Sequence, residues 1–526
     1  MKELQIYPIG IQTFQKLRED GYKYVDKTDF VYTLAQESTP FFLSRPRRFG
    51  KSLLLSTLEA YFQGKKELFR GLALYKLEKE WSAYPVLHLD MNPGNYETPD
   101  GLIRHLVYYL NIWEKYYGIT EIEEDVAHRF QTVISKANEV TGRKVVILID
   151  EYDKPLLKFV GDEERQKPYR DILKPFYGCL KTMDSQIRFI MITGVTKFSK
   201  MSVFSDLNNL DDISLDDEYA TACGITEEEL LSTFENGIKE LAKKQKSTFE
   251  ETLEKLAKKY DGYHFSAESD GVFNPFSVLC ALKKRKFGNY WFSTGTPYFL
   301  VSLLKSKGYL LSELEDIKID ADTLGSIEVI NTNPIPVLYQ SGYLTISGYD
   351  PESDLYRLNY PNEEVKESFL KFLLPDYSNL QRENCAFEID KFVEEVRNGE
   401  IDAFLKRLQS LLGSCDYDLI LECEKHYQNV LYIVFALMGM RVQVEQHTSQ
   451  GRIDMVVKTP QYVYVMEFKY HGTAQDAIDQ IDQNGYAIPY QTDPRTVYKV
   501  GVAFSAKTHT LAQPWMVEKV SIASHQ

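Results

Sequence analysis

Cysteine is scarce in this sequence, with six residues in a chain of 526, and those six are scattered. The closest pair, Cys415 and Cys423, does not have the spacing of metal ligands. A disulfide framework and a zinc site are therefore not expected. The scatter instead predicts free thiols in a reducing compartment.

Long apolar runs are also lacking. No stretch of 18 apolar residues occurs, and the first residues show no basic segment followed by an apolar one. Neither a transmembrane helix nor a secretory signal peptide is therefore predicted. Together with the cysteine pattern, these features predict a cytoplasmic protein without a membrane partner.

Tracts rich in Pro, Gly or Ser are absent, so disorder is not the default expectation. The composition is that of a globular protein, with 44% hydrophobic and 26% charged residues. A chain of this length exceeds one hydrophobic core, so several domains are expected. The formal net charge of −15 repels phosphate backbones. Tight nucleic-acid binding therefore requires a local basic patch or metal ions.

Four apolar runs punctuate the first third of the chain. They are PFFLSRP (40–46), PVLHLDM (85–91), VVILIDE (145–151) and RFIMITGV (188–195), with helical patterns between them. Near-continuous apolar strands that alternate with helices predict a parallel α/β sheet covered on both faces. This predicted domain extends over residues 1–215.

The rest of the chain divides into two further predicted domains. Residues 216–380 are mainly helical, and Thr226 and Glu229 form a predicted capping box at the first helix. Within this domain, residues 333–372 show the order helix, hairpin, helix, which indicates either a winged-helix module or a small structural lid. Residues 381–526 form an α/β unit of a size that can fold alone.

The string SRPRRFGKSLLL follows the first apolar strand and opens a helix. In this setting Gly-Lys-Ser predicts a P-loop, in which backbone N–H groups and a helix N-terminus hold phosphate oxygens. We expect Gly50 to allow close approach, Lys51 to reach the β- and γ-phosphates of ATP, and Ser52 to bind Mg²⁺. Arg45 replaces the usual first glycine and is expected to line the loop. The predicted nucleotide-binding residues here are Arg47, Arg48, Phe49, Gly50, Lys51, Ser52 and Leu53.

A second ATPase motif ends the strand VVILIDE. Its two adjacent acids have the Walker B arrangement, in which Asp150 holds Mg²⁺ and Glu151 polarises the attacking water. The strand RFIMITGV then brings Thr193 to a position suited to sense the γ-phosphate. Lys197 or Lys200 could contact phosphate from the same or a second chain, although surface lysines are the commoner explanation.

The last domain contains a third constellation, in the strand YVYVMEFKY. Side chains alternate across a strand, so Glu467 and Lys469 are predicted to share one face. Asp454 lies on the preceding strand, where an antiparallel neighbour can bring its carboxylate beside Glu467. Such a pair binds Mg²⁺ or Mn²⁺ that activates water at a phosphodiester, and the lysine stabilises charge. Glu422 or Glu424, from the helix before, could complete the metal site.

These motifs together give the chain a family resemblance. The strings RPRRFGKSL (45–53) and LIDEYDKPL (148–156) are its most specific parts, and TGVTKFSKMSVFSDLNNL (193–210) extends it. The chain resembles bacterial AAA-ATPase-like proteins that carry a C-terminal PD-(D/E)XK nuclease superfamily domain. The resemblance implies an ATPase sheet of the additional-strand (ASCE) type. It also favours Glu424 as metal ligand and implies a catalytic role for Gln480, as in RecB-type nucleases.

The leading hypothesis is an ATPase coupled to metal-dependent cleavage of DNA or RNA. Its predicted catalytic residues are Glu151, Asp454, Glu467, Lys469 and Gln480. One alternative is a nucleotide-dependent switch whose last domain binds nucleic acid or protein without cutting. Another is an assembly protein with little ATP turnover, and a homo-oligomer is compatible with each hypothesis.

Overall fold

A computed structural model describes residues 6–198, 204, 207, 209–292, 298–325, 327, 333–378, 380–413, 423–449, 452–505 and 507–520. For residues 298, 299, 306, 423, 424, 445–449 and 452–454 it describes the backbone alone. The chain divides into two compact units. The first unit comprises residues 1–300 and 316–365, and the second comprises residues 301–315 and 366–526. The three predicted domains, 1–215, 216–380 and 381–526, stay a prediction.

The first unit contains eight strands and most of the helices that the structure describes. Its strands are β1 (Phe41–Ser44), β2 (Val86–Asp90), β3 (Val145–Asp150), β4 (Ile187–Gly194), β5 (Asp211–Asp212), β6 (Ile317–Asp320), β7 (Thr345–Asp350) and β8 (Leu355–Asn359). Its helices are α1 (Phe14–Glu19), α2 (Thr28–Gln36), α3 (Lys51–Phe62), α4 (Ala73–Leu77), α5 (Pro99–Tyr117), α6 (Val126–Thr141), α7 (Lys154–Leu157), α8 (Glu163–Thr182), α9 (Glu227–Gln245), α10 (Phe249–Tyr260), α11 (Pro275–Lys284), α13 (Ala321–Gly325) and α14 (Pro334–Gln340). Two more helices, α12 (Tyr298–Ser306) and α15 (Glu363–Ser378), begin in the first unit and end in the second.

A five-stranded parallel sheet forms the centre of the first unit, in the order β2-β3-β4-β1-β5. Every residue of β3 is buried, as expected for a parallel strand that is covered on both faces. Strand β4 lies between β1 and β3, so it is the additional strand of the predicted ASCE-type sheet. The predicted fold class is therefore confirmed. This order brings the carboxyl ends of β1, β3 and β4 to one edge, where ligands of open α/β sheets bind.

A helical layer follows the sheet, and its first helix begins as predicted. The Thr226 hydroxyl accepts a hydrogen bond from the Glu229 N–H (3.3 Å), and the Glu229 carboxylate accepts one from the Thr226 N–H (2.8 Å). Helices α9, α10 and α11 enclose an apolar core that includes Leu230, Phe234 and Ile238. The predicted capping box is confirmed.

The region predicted as helix, hairpin and helix has that order, as α14, β7, β8 and α15. Strand β6 adds to the hairpin, giving the antiparallel order β6-β8-β7. Helix α14 is buried along its whole length, and acidic residues Asp350, Glu352 and Asp354 occupy the hairpin turn. A buried helix has no face to offer a nucleic acid, and an acidic turn repels phosphate. These features favour a structural role over a nucleic-acid-binding wing.

The second unit contains a six-stranded mixed sheet. Its strands are β9 (Gln443–Ser449), β10 (Arg452–Lys458), β11 (Tyr462–Lys469), β12 (Thr496–Ser505), β13 (Thr510–Leu511) and β14 (Met516–Lys519), and its further helices are α16 (Cys385–Asn398), α17 (Ile401–Gly413), α18 (Cys423–Gly439) and α19 (Ala474–Gln483). The order is β13-β12-β11-β10-β9, with β14 paired to β12. Strands β9, β10 and β11 are antiparallel, whereas β11 and β12 are parallel and are connected through α19.

Both faces of strand β11 are covered by helices. On one face, Val463 and Val465 pack against Ile478 and Ile481 of α19. On the other face, the Tyr464 hydroxyl donates a hydrogen bond to the Val396 carbonyl of α16 (2.9 Å). This alternation agrees with the predicted division of the strand into two faces.

Candidate functional site

The loop between β1 and α3 has the backbone of a phosphate-binding loop. Arg48 and Gly50 both adopt positive φ angles, 70° and 105°, and α3 begins at Lys51. Left-handed residues in such a turn direct successive N–H groups toward one anion, and the helix N-terminus adds to this effect. Gly50 is suited to this conformation because it has no Cβ.

A cavity of about 330 Å³ lies against this loop, entirely within the first unit. Its polar end is lined by Glu151 and the three cations that act on its charge, Arg47, Lys51 and Lys154, with Arg48 and Ser52 of the same loop. Its apolar end is lined by residues that pack in one apolar cluster, namely Ile9, Val25, Ile225, Phe234 and Leu279. The volume lies within the range of small-molecule sites, and the combination of an apolar end with a cationic end fits a nucleotide.

The side chain of Lys51 is buried at the polar end of the cavity. Its ammonium donates hydrogen bonds to the Arg45 carbonyl (2.9 Å) and the Pro46 carbonyl (3.3 Å), and it lies 3.2 Å from the Glu151 carboxylate. Glu151 itself adopts a left-handed φ of 54°. A phosphate at this loop therefore competes with Glu151 for the same ammonium group.

Cations surround the Glu151 carboxylate. Burial raises the pKa of this carboxyl, but Lys51, Lys154 and Arg47 outweigh burial, and the pKa lies below its usual value. Glu151 is therefore ionised at neutral pH. In this conformation one carboxylate neutralises part of a cationic pocket that is suited to a more highly charged anion.

Hydrogen bonds fix the ends of β3 and β4 to each other. The Thr193 hydroxyl donates to Asp150 Oδ1 (2.6 Å), and both residues are buried. The fully buried Asp153 carboxylate accepts hydrogen bonds from the Thr196 N–H and hydroxyl, each at 2.7 Å, and from the Val195 N–H. Burial, followed by the Glu151 charge, raises the pKa of Asp153 to about 6. Sequence reasoning missed Asp153, although it stands within LIDEYDKPL.

The structure contradicts the expectation that Arg45 lines the phosphate loop. Arg45 does not line the cavity; its guanidinium is buried and donates to the carbonyls of Ser44, Ser214 and Tyr219 at 2.8–3.0 Å. It also stacks over the Phe265 ring at 4.2 Å, and these contacts compensate the buried charge. Lys197 is ion-paired with Asp212 and lies outside the lining of this cavity. Lys200 lies outside the described residues.

The other predicted residues of the loop differ in what their side chains contact. The Phe49 ring is buried against Tyr263 and Phe265, with ring centroids 4.7 and 5.5 Å apart, so Phe49 can serve a ligand through its backbone only. The guanidinium of Arg48 lies 5.0 Å from the Phe276 ring, which also lines the cavity. Ser52 and Leu53 line the cavity directly.

The second unit brings two predicted carboxylate residues together. Asp454 of β10 is directly opposite Glu467 of β11 in the antiparallel register. Glu467 is fully buried, and the Lys469 ammonium lies 3.3 Å from its Oε1. The side chains of Asp454 and Glu424 lie outside the described residues, as does the whole of Glu422. Carboxylate oxygens on adjacent strands are ligands that suit Mg²⁺ or Mn²⁺.

Helix α19 packs closely against the sheet at Gly501 of β12, the residue that pairs with Glu467. A Cβ at Gly501 would lie 2.3 Å from the Ala474 carbonyl oxygen. Gln480 is half-buried on the same helix, and the described contacts do not connect it to Glu467 or Lys469. No group of three His, Cys, Asp or Glu side chains that could hold a metal ion occurs among the side chains described, which include neither Asp454 nor Glu424.

Comparison with known proteins assigns a family to each of two regions of the chain. Residues 8–204 match the AAA-ATPase-like family, described as predicted AAA-ATPases, and residues 422–513 match the PD-(D/E)XK nuclease superfamily. The chain is 37% identical over 522 residues to an "Uncharacterized protein in vnfD 5'region" from Azotobacter chroococcum mcd 1; the match covers 96% of this chain and 97% of that protein. The chain therefore belongs to the AAA-ATPase-like family and carries a C-terminal domain of the PD-(D/E)XK nuclease superfamily. In the described part of the chain, no helix is both long and apolar enough to cross a membrane.

Proposed function

We propose that the protein binds and hydrolyses ATP in the first unit and cleaves nucleic acid in the second, with ATP controlling the cleavage. The observation that carries the first part is the cavity whose cationic end contains Lys51 in a chain of net charge −15. The observation that carries the second part is the pairing of Asp454 with Glu467 beside Lys469.

In the nucleotide site, the backbone of residues 47–53 holds the phosphates and Lys51 neutralises their charge. Ser52 and Asp150 would hold Mg²⁺, which would neutralise part of the phosphate charge. Thr193 fixes Asp150 through the hydrogen bond described above. When phosphate takes Lys51 from Glu151, this carboxylate becomes available to orient the attacking water.

In the nuclease site, Asp454, Glu467 and Glu424 would hold the divalent ion, which lowers the pKa of bound water and stabilises charge at the phosphodiester. Lys469 stabilises the same developing charge from the protein side. Gln480 orients the substrate or a ligand from α19. The combination of a buried carboxylate with an adjacent lysine supports this assignment.

Cleavage of labelled single- and double-stranded DNA and RNA tests the proposal. We expect cleavage with Mg²⁺ or Mn²⁺, and its loss in Asp454→Ala and in Lys469→Ala. The exposed Lys507 provides a matched control, because Lys507→Ala removes a similar charge at a distance from Glu467 along the chain. If wild type and Asp454→Ala cut equally, the nuclease site is assigned wrongly.

Nucleotide control requires a second set of variants. Lys51→Ala removes the main phosphate contact and is expected to abolish ATP binding, whereas Glu151→Gln keeps binding and loses hydrolysis. Cleavage that depends on ATP in wild type should lose that dependence in Lys51→Ala. Cleavage that is identical in wild type and Lys51→Ala, with and without ATP, would contradict the coupling.

The acidic charge of the last part of the chain favours a second candidate function, a nucleotide-dependent switch that binds a partner without cutting nucleic acid. Residues 381–526 contain 14 Lys and Arg against 19 Asp and Glu, so this part of the chain is acidic. An acidic surface is poorly suited to a nucleic-acid backbone and better suited to a basic protein partner. ATP hydrolysis without metal-dependent cleavage of any substrate class supports this switch.

A further inference from the structure

Lys154 is a further cation beside the nucleotide cavity. Lys154 is the first residue of the short helix α7, three positions after Glu151, and its N–H donates to the Glu151 carbonyl (3.0 Å). Lys154 lines the cavity together with Lys51 and Ser52. Among the described residues, its ammonium lies within ion-pair distance of no carboxylate.

Lys154 differs in its ion pairs from three other lysines of the first unit. Lys158, four residues later, is half-exposed and paired with Glu97, and Lys197 is paired with Asp212. Lys51 is held by two carbonyls and by Glu151. Lys154 helps to lower the pKa of the Glu151 carboxyl, but among the described residues no ion pair fixes its ammonium beside the cavity.

The position of Lys154 relative to Glu151 identifies the part of the ligand that it meets. Glu151 directly follows the Walker B strand β3, where the water that attacks the terminal phosphate is oriented. The apolar end of the cavity, which suits a base, is formed by other segments, among them residues 9, 225 and 234. A cation next to Glu151 consequently faces the terminal phosphate and not the base.

We propose that Lys154 contacts the γ-phosphate of bound ATP within the same chain and stabilises the charge that develops there during hydrolysis. This inference rests on the proposed ATPase function. Many ATPases obtain this cation from an arginine of a second subunit or an activator. Here the same strand end supplies both the water-orienting carboxylate and the cation.

The chemical step keeps Lys154 protonated throughout. Water attacks the γ-phosphorus, the bond from phosphorus to the β,γ-bridging oxygen breaks, and the bridging oxygen leaves on ADP with the electron pair. The proton lost from the attacking water passes to solvent by way of the phosphate product. Lys154 donates hydrogen bonds to the terminal phosphate oxygens and transfers no proton.

The first test measures ATPase rate together with ATP and ADP affinity for the full chain. Lys154→Ala is expected to lower kcat on the order of 100-fold or more, which is typical for loss of one charge-stabilising donor. ADP affinity should be unchanged, because ADP lacks the γ-phosphate, and this result also shows that the variant is folded. Lys154→Arg should recover part of the rate, and Lys158→Ala should match wild type.

The second test separates action within a chain from action between chains. Lys51→Ala retains Lys154 but loses ATP, and Lys154→Ala binds ATP but lacks the cation. A mixture of the two is expected to remain as inactive as either alone, whereas restored activity would show that Lys154 acts across subunits.

The outcomes distinguish this inference from the proposed function. If wild type neither binds nor hydrolyses ATP, the proposed function fails. If wild type hydrolyses ATP, and Lys154→Ala has the same kcat as Lys158→Ala, only the role of Lys154 is overturned.

Discussion

Arg45 is a buried cation in the first unit that contacts no carboxylate within 4 Å among the described residues. Backbone carbonyls of Ser44, Ser214 and Tyr219 accept its hydrogen bonds, and Phe265 covers its planar face. Hydrogen bonds from a charged donor stabilise more than neutral ones, and their loss leaves buried acceptors unsatisfied. Arg45 thus connects the end of β1 to the loop that follows β5.

Substitution of Arg45 by methionine tests this role. Arg45→Met keeps an unbranched side chain but removes every donor, so we expect a loss on the order of 2–4 kcal/mol in the free energy of unfolding. Urea unfolding followed by circular dichroism measures the change. The exposed Arg165 on α8 provides the control, and Arg165→Met should change stability by less than about 0.5 kcal/mol. Equal effects of the two substitutions would contradict the role of Arg45.

Glu364 is a buried carboxyl that accepts a hydrogen bond from the Trp291 N–H (2.8 Å). Burial raises its pKa from 4.5 to about 7, despite the opposing effects of the nearby Ser277 hydroxyl and of the Trp291 N–H. A raised pKa means that the fold favours the neutral acid. This contribution to stability is fully present below pH 4.5 and is lost as the pH rises through about 7.

Glu364→Gln carries a neutral side chain at every pH. We expect wild type and variant to have similar stability at pH 5, and the variant to be more stable by about 2–3 kcal/mol at pH 8.5. Urea unfolding at both pH values measures the difference. The adjacent exposed Glu363 gives the control variant Glu363→Gln, whose stability should follow wild type at both pH values. Parallel pH profiles for wild type and Glu364→Gln would refute the prediction.

At the scale of elements, the contact between α19 and β12 depends on one glycine. A Cβ at Gly501 would lie 2.3 Å from the Ala474 carbonyl and 2.8 Å from the Ile478 side chain. The carbonyl belongs to the backbone of α19, so it cannot rotate away as a side chain can. Since Gly501 pairs with Glu467, a shift of α19 disturbs the candidate metal site as well as the sheet.

Gly501→Ala is therefore expected to destabilise the second unit by about 1–3 kcal/mol, a typical cost of overpacking. Metal-dependent cleavage should fall further than ATP hydrolysis, because the nucleotide cavity belongs to the first unit. Gly439 at the end of α18 is the matched control, since a Cβ there has its nearest neighbour at 3.8 Å. An unchanged unfolding midpoint in Gly501→Ala would show that α19 tolerates the extra carbon.

The elements of both sites were predictable, whereas several side-chain orientations were not. Apolar runs revealed β1, β3 and β4, and alternation revealed the two faces of β11, because these patterns depend on local burial. The direction of Arg45 depends on carbonyls up to 174 residues away, which no local pattern reports. Lys154 and Asp153 were present in LIDEYDKPL, but only the folded sheet distinguishes a lysine in a cavity from a lysine in solvent.

At the scale of the whole molecule, charge is distributed unevenly. The chain has a formal net charge of −15, yet the lining of the nucleotide cavity contains one acidic residue, Glu151, and six cationic residues: Lys23, Lys27, Arg47, Arg48, Lys51 and Lys154. Local cationic pockets concentrate anionic ligands in an otherwise repulsive field. The candidate nuclease site pairs two carboxylate residues instead, so phosphate is repelled there unless a divalent ion intervenes.

The affinity for nucleic acid should therefore depend on divalent ions. We expect an oligonucleotide to bind weakly in EDTA and at least about tenfold more tightly with Ca²⁺, which takes the same oxygen ligands as Mg²⁺. Fluorescence anisotropy at constant ionic strength measures both affinities, so that screening is held fixed.

Glu467→Gln separates local charge from a general salt effect. The variant loses one negative charge at the site, so its affinity in EDTA should rise and its gain from Ca²⁺ should shrink. An exposed acid of the same unit, Glu383, gives the control variant Glu383→Gln, which should keep the wild-type gain. If Ca²⁺ improves binding equally in wild type and Glu467→Gln, the ion acts by general neutralisation of the acidic surface. The carboxylates of β10 and β11 would then have no direct part in binding.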